Sequence, residues 1–501
     1  MDTRPNIIFI MTDQQRYDAV GKRNPNVITP AIDRLIEEGV LFSEATAPCP
    51  MCVPCRNSMM FGLYPSQTGV RTNSGCMLDE SRLPGIPLPQ ILKDAGYFTA
   101  GFGKTHWNHT QKGVPGSRRG FDVRAEGQPR NSVLVEEGAV MMDDEDPDGL
   151  AAYFSETRAF GSGEENALGY IGMTSALDIE SHRDGFISKK CLEFIKSYEK
   201  GEKPLFLYLS FIKPHAGFNI PKQFEDMYDI DAIPDLPQPP WDQEPDTHIR
   251  AQMDVCESLH TRHYELKEVW EKLSPVQRKK TTLRYWANCT FMDYLIGQNL
   301  DAMRKNGILD NALIVFVSDH GDMMGERDHR FSKYCLFESS VRVPLVLSGS
   351  YLDKALRGTR DERPASLIDI VPTLRNAASL APDPRLSGLD LLSGRMRTGA
   401  FSEFHGGGAD RNQPAPAWMW RTKEYKLILY REGPVFEDGE IKGELYDLIN
   451  DPNEWTNLFY DEKYIKIRLK LTEEMLAHAA SAFARAPMMG DYKGHSPITP
   501  K

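Results

Sequence analysis

Three cysteines spaced three residues apart, Cys49, Cys52 and Cys55, have both the type and the spacing to do chemistry. Thiolates at this spacing bind zinc or form redox pairs. A structural zinc site needs four ligands, however, and no second cysteine pair follows at a suitable distance. We therefore interpret Cys49 and Cys55 as small packing residues, with a zinc or redox site that includes Cys52 as the alternative.

The residues after Cys52 predict that it stands at the start of a helix. Pro54 suits a first helical turn, where its missing N–H costs nothing. Free backbone N–H groups and the helix dipole favour an anion at that point. Arg56, about one turn along, can add a cationic fork to the same anion or to a modified nucleophile.

Further polar side chains follow apolar, β-branched runs that are typical of buried strands. The runs and their polar ends are 6–12 before Asp13, 99–102 before Lys104 and His106, 205–212 before Lys213 and His215, and 312–317 before Asp319 and His320. Ligands bind beyond the carboxyl ends of strands in open α/β sheets. A single histidine or aspartate there is often structural, but an unpaired carboxylate after a buried strand is costly, so a cation is its natural partner.

The elements that position these residues predict an α/β fold. Helical patterns at about 30–39, 88–95, 184–199 and 281–305 alternate with the strands, and we expect a large, mostly parallel mixed sheet sandwiched by helices. A smaller C-terminal α+β domain with a short antiparallel sheet is expected to follow, with a strand at 425–430 and a final helix near 461–483. The predicted domains are 1–394 and 395–501. Residues 107–180 are interpreted as a long insertion outside the core.

Composition limits the function classes. The 501-residue chain has a net charge of -12 at pH 7, which argues against a nucleic-acid binder. The apolar run Ile7 to Met11 is too short for a signal segment or a membrane span, so we expect a cytoplasmic protein without a membrane partner. Its eight cysteines are too sparse for a disulfide scaffold and are expected to be mostly free thiols.

The segment Cys52-Val-Pro-Cys-Arg56 resembles the sulfatase signature Cys-x-Pro-Ser/Ala-Arg, with Cys55 at the variable fourth position. Five further blocks look like sulfatase blocks in the same order: 12–15, 103–106, 213–215, 318–322 and 342–345. The stretch 445–454 is similar to the family's C-terminal motif. The resemblance implies hydrolysis of sulfate esters by a formylglycine that a separate maturing enzyme makes by oxidising Cys52.

The resemblance also implies a divalent cation. Its ligands would be Asp13, Gln14, Cys52 after modification, Asp319 and His320, and the cation would be calcium, with manganese as the alternative. Many sulfatases have a second aspartate and an asparagine where this chain has Gln14 and His320. That variant looks like the one in choline sulfatases and phosphonate monoester hydrolases of the same alkaline phosphatase superfamily.

The remaining roles are likewise implied by the resemblance. Lys104 and His106 would contact the aldehyde hydrate, and His106 would take a proton from it so that sulfate leaves. His215 would protonate the leaving oxygen, and Lys333 would balance the sulfate charge. Arg56 would belong to the same catalytic group.

Three other functions remain open at this stage. Within the superfamily, the chain could hydrolyse phosphonate monoesters or phosphodiesters. Outside that mechanism, it could be a phosphatase with an unmodified nucleophile or a binding protein that retains the fold. The expected substrate is a small-molecule or saccharide sulfate ester, and a homo-oligomer is a further expectation drawn from large relatives.

Overall fold

The computed structural model of the protein describes residues 3–73, 85–106, 120–127, 138–158, 172–241, 247, 270–329, 331–405, 417–430 and 442–485. Trp107, His109 and the tail 487–501 lie outside these residues, as do parts of the predicted insertion 107–180. None of the described helices has the length and hydropathy that a membrane span requires.

A nine-stranded sheet forms the larger part of the fold. Its order is β14-β2-β13-β10-β1-β8-β4-β5-β6. All pairings are parallel except those of β13, which runs antiparallel to β10 and β2. The strands are β1 (Asn6–Asp13), β2 (Val40–Phe42), β4 (Phe98–Gly103), β5 (Val123–Glu126), β6 (Val140–Met141), β8 (Leu205–Pro214), β10 (Ala312–Ser318), β13 (Leu345–Ser348) and β14 (Thr359–Asp361). The predicted mostly parallel mixed sheet is confirmed.

Helices cover both faces of this sheet. Alternate residues of β1 point to opposite sides, so Ile7 and Phe9 join one buried cluster while Ile8 and Ile10 join another. The helices are α1 (Pro30–Glu37), α2 (Cys52–Phe61), α3 (Pro65–Thr68), α4 (Leu88–Asp94), α5 (Met142–Glu145), α6 (Pro147–Arg158), α7 (Arg183–Ser197), α8 (Lys222–Glu225), α9 (Pro275–Lys305), α10 (Glu326–His329), α11 (Glu338–Val341), α12 (Ile370–Ala377) and α13 (Ile465–Ala484). Each fully buried aliphatic side chain contributes roughly 1.5–3 kcal/mol to folding, which makes these two layers the main source of stability.

Helix α9 begins six residues before its predicted start at 281. Ser274 Oγ accepts from the backbone N–H of Gln277 and the Gln277 side chain accepts from the backbone N–H of Ser274, which forms a capping box, and Pro275 occupies the first turn. The sequence therefore contained the start signal.

The interpretation of 107–180 as an insertion outside the core was partly wrong. Val123–Glu126 and Val140–Met141 extend the main sheet as its last two strands, and Ala125 is buried between its neighbours. These runs are short, and acidic and glycine residues around them hid their strand character.

A second sheet of four antiparallel strands follows in the order β16-β17-β18-β19. Its strands are β16 (Ala400–Phe404), β17 (Ala417–Arg421), β18 (Tyr425–Tyr430) and β19 (Gly443–Asp447), and α13 packs on it through Leu471 and Met475. The short antiparallel sheet and the final helix are thus confirmed. The division at 394/395 itself stays a prediction. Short paired strands complete the fold: β3 (Ala45–Thr46), β7 (Thr174–Ser175), β9 (Ile220–Pro221), β11 (Met323–Met324), β12 (Phe331–Ser332) and β15 (Ala365–Ser366).

Candidate active site

Cys52 is the first residue of α2, as the sequence predicts. The preceding Met51 has an extended backbone and offers no side-chain cap, so the first N–H groups of the helix stay available to a ligand or a neighbouring side chain. One of them, on Val53, donates to Asn73 Oδ1 at 3.2 Å. The side chain of Cys52 is buried, with 3% of its surface exposed.

Neighbouring parallel strands bring two aspartates together beside this helix start. Strands β1 and β10 pair in register from Asn6 to Thr12, so Asp13 at the end of β1 lies next to Asp319, directly after β10. Both carboxylates are fully buried. The backbone N–H groups of Gln14 and His320 donate to Asp319 Oδ1 at 3.0 Å and 2.9 Å, which fixes that carboxylate.

A group of side chains with the means to bind a metal surrounds Cys52. Asp13, Cys52, Asp319 and His320 each offer one ligand atom, and these atoms lie within 4.8 Å of one another. The His320 ring directs Nδ1 to the carbonyl of Gly321 at 2.8 Å and Nε2 to Cys52 Sγ at 3.2 Å. In the described part of the chain neither Cys49 nor Cys55 joins this group, which speaks against the zinc alternative.

Gln14 lies beside this group. Its backbone has a positive φ of 70°, and its side-chain oxygen accepts from Lys333 Nζ at 2.9 Å. The structure thus brings Gln14 to the site, and its predicted role as a metal ligand stays a prediction.

The side chain of Arg56 joins the two aspartates. Its guanidinium donates to Asp319 Oδ2 at 2.7 Å and to Asp13 Oδ2 at 3.0 Å. Further bonds reach the carbonyl of Lys104 and the hydroxyl of Ser210. The sequence predicts that Arg56 reaches the anion or the modified nucleophile, whereas these bonds go to the carboxylates beside it.

Lys104 and His106 follow strand β4. The Lys104 ammonium donates to Asp13 Oδ2. His106 has a positive φ of 57° and its backbone carbonyl accepts from Asn57 Nδ2 at 3.3 Å, which anchors it to α2. Both residues therefore border the site, and their contact with an aldehyde hydrate stays a prediction.

Lys333 and His215 complete the group of side chains around Cys52. Lys333 Nζ lies 3.0 Å from Cys52 Sγ and 2.9 Å from His215 Nε2. The His215 ring places Nδ1 3.2 Å from the carbonyl of Ala216, so its Nε2 accepts from the lysine when the ring is neutral. The structure thus places Lys333 in contact with Cys52.

Charges around Cys52 shift several pKa values. Burial and Asp13 oppose ionisation of the thiol, but Lys104, Lys333 and His320 outweigh them and hold the pKa of Cys52 well below its usual value. Burial and the Lys333 cation lower the pKa of His215. Burial disfavours the Asp13 carboxylate, yet Lys104 and Arg56 lower its pKa. The site is therefore built to stabilise negative charge at residue 52.

Sequence reasoning missed several residues that support the site. Tyr208 and Ser210 on β8 contact Arg56, Tyr285 on α9 donates to the carbonyl of Gln14 at 2.8 Å, and the Cys55 thiol lies 2.8 Å from the carbonyl of Asp319. Asp322 is fully buried nearby, and burial raises its pKa to about 7. Of these residues, Cys55 and Asp322 lay in blocks that resemble sulfatase motifs, but sequence reasoning assigned neither of them a role in the site.

Comparison with known protein families identifies the family of this chain. The sulfatase family model matches residues 5–380, most of the chain. The chain belongs to the sulfatase family. A second family model, described as the C-terminal part of N-sulphoglucosamine sulphohydrolase, matches residues 325–481 of this sulfatase. Sulfatases hydrolyse sulfate esters, and the chain is an enzyme of this kind.

Individual relatives of the sulfatase agree with this assignment. An arylsulfatase from Clostridium perfringens is 27% identical and aligns over 92% of this chain and 91% of its own length. A choline-sulfatase from Rhizobium meliloti is 27% identical over 91% of this chain and 82% of its own. The solved structure of a phosphonate monoester hydrolase of Agrobacterium radiobacter has the same fold, with a TM-score of 0.74, 22% identity and 96% of each chain covered.

Proposed function

We propose that the enzyme cleaves small-molecule or saccharide sulfate esters with a formylglycine made from Cys52 and a divalent cation held beside it. The observation that carries this proposal is the convergence of Asp13, Asp319 and His320 on Cys52 at the start of α2. A second support is the match to a family model named for an enzyme that acts on a sulfated amino sugar.

The donor set fits a divalent cation. Two carboxylates, an imidazole and the oxygen that a converted residue 52 would offer are hard or intermediate ligands, and all four positions are buried and close together. When bound there, the cation would neutralise the oxygen of residue 52 and the sulfate oxygens near it. Gln14 would add a neutral oxygen. Calcium is the proposed ion, and the imidazole of His320 makes manganese the alternative.

Formylglycine, in its hydrated form, would supply the nucleophile at residue 52. The burial of Cys52 and Arg56 supports conversion before the chain has folded, because a maturing enzyme needs access to both. The helix start favours a negatively charged oxygen at this position, since backbone N–H groups and the dipole point towards it. Lys104 holds Asp13 and adds positive charge on the same side.

Lys333 and His215 are proposed to handle the ester. Lys333, in contact with Cys52 and His215, balances the charge of the sulfate oxygens. His215 gives a proton to the leaving oxygen once the anionic ester favours the protonated ring. His106, anchored to α2 through Asn57, takes the proton that releases sulfate.

The proposed metal requirement is tested by removing the metal with a chelator and adding it back. Treatment with a chelator is expected to abolish turnover of an aryl sulfate, and calcium or manganese alone should restore it. Elemental analysis of the purified enzyme should find one divalent ion per chain. Full activity in chelated, metal-free protein would contradict the proposed site.

Hydrolysis of phosphonate monoesters or phosphodiesters is the second candidate. The pair Gln14 and His320 favours it, because this variant resembles the one in phosphonate monoester hydrolases. Side-by-side kinetics with an aryl sulfate and a phenyl phosphonate separate the two. A higher kcat/KM for the sulfate supports our proposal, and a large preference for the phosphonate would replace it.

A cytoplasmic location is proposed because the six described cysteines are all free and buried, as expected for a reducing compartment. Fractionation of cells that express the chain tests this. A homo-oligomer is also proposed, and sedimentation of the purified enzyme decides it.

A further inference from the structure

Asp322 is a buried carboxyl at the edge of the active site. Its side chain has no exposed surface, and neither carboxylate oxygen accepts a hydrogen bond of ordinary geometry from any described residue. The backbone of Asp322 is held by Arg16, whose Nη1 donates to the Asp322 carbonyl at 3.1 Å. Burial of a carboxyl without donors is unfavourable, so a neighbouring group must offset its cost.

The side-chain amide of Gln14 lies close enough to this carboxyl to stabilise its charged form, which lowers the pKa of Asp322 against the larger effect of burial. Gln14 Nε2 is buried and likewise makes no hydrogen bond of ordinary geometry with the described residues. At the other end of the same amide, Oε1 accepts from Lys333 Nζ at 2.9 Å. Gln14 thus stands between a cation on one side and a carboxyl on the other.

An amide in this position has only one favourable orientation. Its oxygen can only accept hydrogen bonds and its nitrogen can only donate them. The reverse orientation would turn Nε2 towards the ammonium of Lys333, which sets two donors against each other, and Oε1 towards the carboxyl of Asp322, which repels it when ionised. The carboxyl and the lysine therefore select the same orientation.

The backbone of Gln14 is held by hydrogen bonds on both sides. Its N–H donates to Asp319 Oδ1 at 3.0 Å, and its carbonyl accepts from the Tyr285 hydroxyl at 2.8 Å. The positive φ of 70° is held by these two bonds. Because both the N–H and the carbonyl of Gln14 are hydrogen-bonded, Asp322 can affect only the orientation of the Gln14 side-chain amide.

We propose that Asp322 is a positioning residue that orients the Gln14 amide, so that its oxygen and not its nitrogen faces Lys333 and the cation site around Cys52. The effect of Asp322 on turnover and cation binding then passes entirely through Gln14. This inference rests on the proposed function in that the cation site is the one proposed there.

A double-mutant cycle tests the inference. Two properties are measured for each variant: kcat/KM for an aryl sulfate, and Mn²⁺ affinity of the metal-stripped protein. Asp322→Leu removes the acceptor and is expected to lower both by about tenfold or more, whereas Asp322→Asn keeps an acceptor oxygen and should stay within about threefold. In a Gln14→Ala background, Asp322→Leu should change neither by more than about twofold.

Asp293 provides the matched control. It is also a buried carboxyl, and burial raises its pKa to about 7. It accepts hydrogen bonds from backbone N–H groups of α1 and is far from Cys52 in the chain. Asp293→Asn should lower the melting temperature and leave Mn²⁺ affinity unchanged. Equal losses from Asp322→Leu in both backgrounds would overturn the inference, as would Asp322→Asn being as damaging as Asp322→Leu.

A second cycle applies if Asp322→Leu does not fold. Gln14→Glu sets a second carboxyl against Asp322 and is expected to lower the melting temperature of the metal-free protein, and adding Asp322→Asn should restore part of that loss because one of the two carboxyls is gone. No restoration would overturn the inference. Mn²⁺ binding needs no turnover. An inactive enzyme with an intact Cys52 would therefore contradict the proposed function, while the Mn²⁺ affinities of the variants would still decide the role of Asp322.

Discussion

Lys333 Nζ lies 2.9 Å from His215 Nε2, and the same ammonium is 3.0 Å from Cys52 Sγ. One cation therefore contacts both the residue that would attack the ester and the residue that would protonate its leaving group. Burial disfavours the charged lysine, but Cys52, Tyr334 and Asp13 together outweigh burial and raise the pKa of Lys333, which keeps it charged.

Lys333→Met removes this charge from the site. We expect kcat/KM for an aryl sulfate to fall by about 10²–10³, the loss typical of one electrostatic donor in an active site. Lys22→Met, on the protein surface, is the control and should leave kcat/KM unchanged. A Lys333→Met enzyme with the kinetics of the Lys22→Met enzyme would contradict the assigned role.

His215→Gln removes the proposed proton donor. The loss should depend on the leaving group, because a nitrophenolate leaves without a proton while an alkoxide does not. We expect about 10²–10⁴ loss of kcat for an alkyl sulfate and a much smaller loss for nitrophenyl sulfate. Kinetics over a series of phenyl sulfates measures this dependence, and an equal loss for every leaving group would assign proton donation to another residue.

Arg56→Met leaves the buried carboxylates of Asp13 and Asp319 without their guanidinium. Removing one partner of a buried ion pair costs about 3–5 kcal/mol, so urea unfolding of metal-free protein should show a loss of that size. Added calcium or manganese should recover part of it by binding only the folded state. Arg304→Met, which breaks an exposed pair with Asp301, should cost under about 1 kcal/mol. Equal losses in the two variants would contradict the role of Arg56.

Lys213 makes stability depend on alkaline pH. Burial, helped by Arg183, lowers the pKa of Lys213 from 10.5 to about 8 against the opposing effect of Asp184. Between these two values the unfolded chain binds more protons than the folded one, so the free energy of unfolding rises with pH. Relative to Lys213→Met, wild type should gain about 3 kcal/mol from pH 8 to 10.5. Urea unfolding across this range measures the difference, and parallel curves would contradict it.

The sequence predicted the strand ends well because parallel neighbours must bring their carboxyl ends to one edge. Asp13 and Asp319 follow from that rule alone, and Pro54 predicted Cys52 at the start of a helix. The resemblance to sulfatases added Lys333, which lies outside the ordered blocks and which no local pattern singles out.

The sequence could not predict which side chains pair with each other in the site. Arg56 and Lys104 bond to Asp13, a partner more than forty residues away from either in the chain, and nothing in local spacing reveals such a pair. The same holds for Asp322, whose importance depends on which end of the Gln14 amide faces it. The edge strands Val123–Glu126 and Val140–Met141 were missed because short runs in acidic surroundings carry a weak strand signal.

Mass spectrometry of the peptide that contains Cys52 tests the central claim most directly. The enzyme is produced with and without a formylglycine-generating enzyme, and its aryl sulfatase activity is measured in the same samples. We predict a formylglycine at residue 52, lighter than cysteine, with Cys49 and Cys55 unchanged and activity proportional to the converted fraction. An intact thiol at residue 52 in protein that hydrolyses the aryl sulfate at full rate would contradict the mechanism.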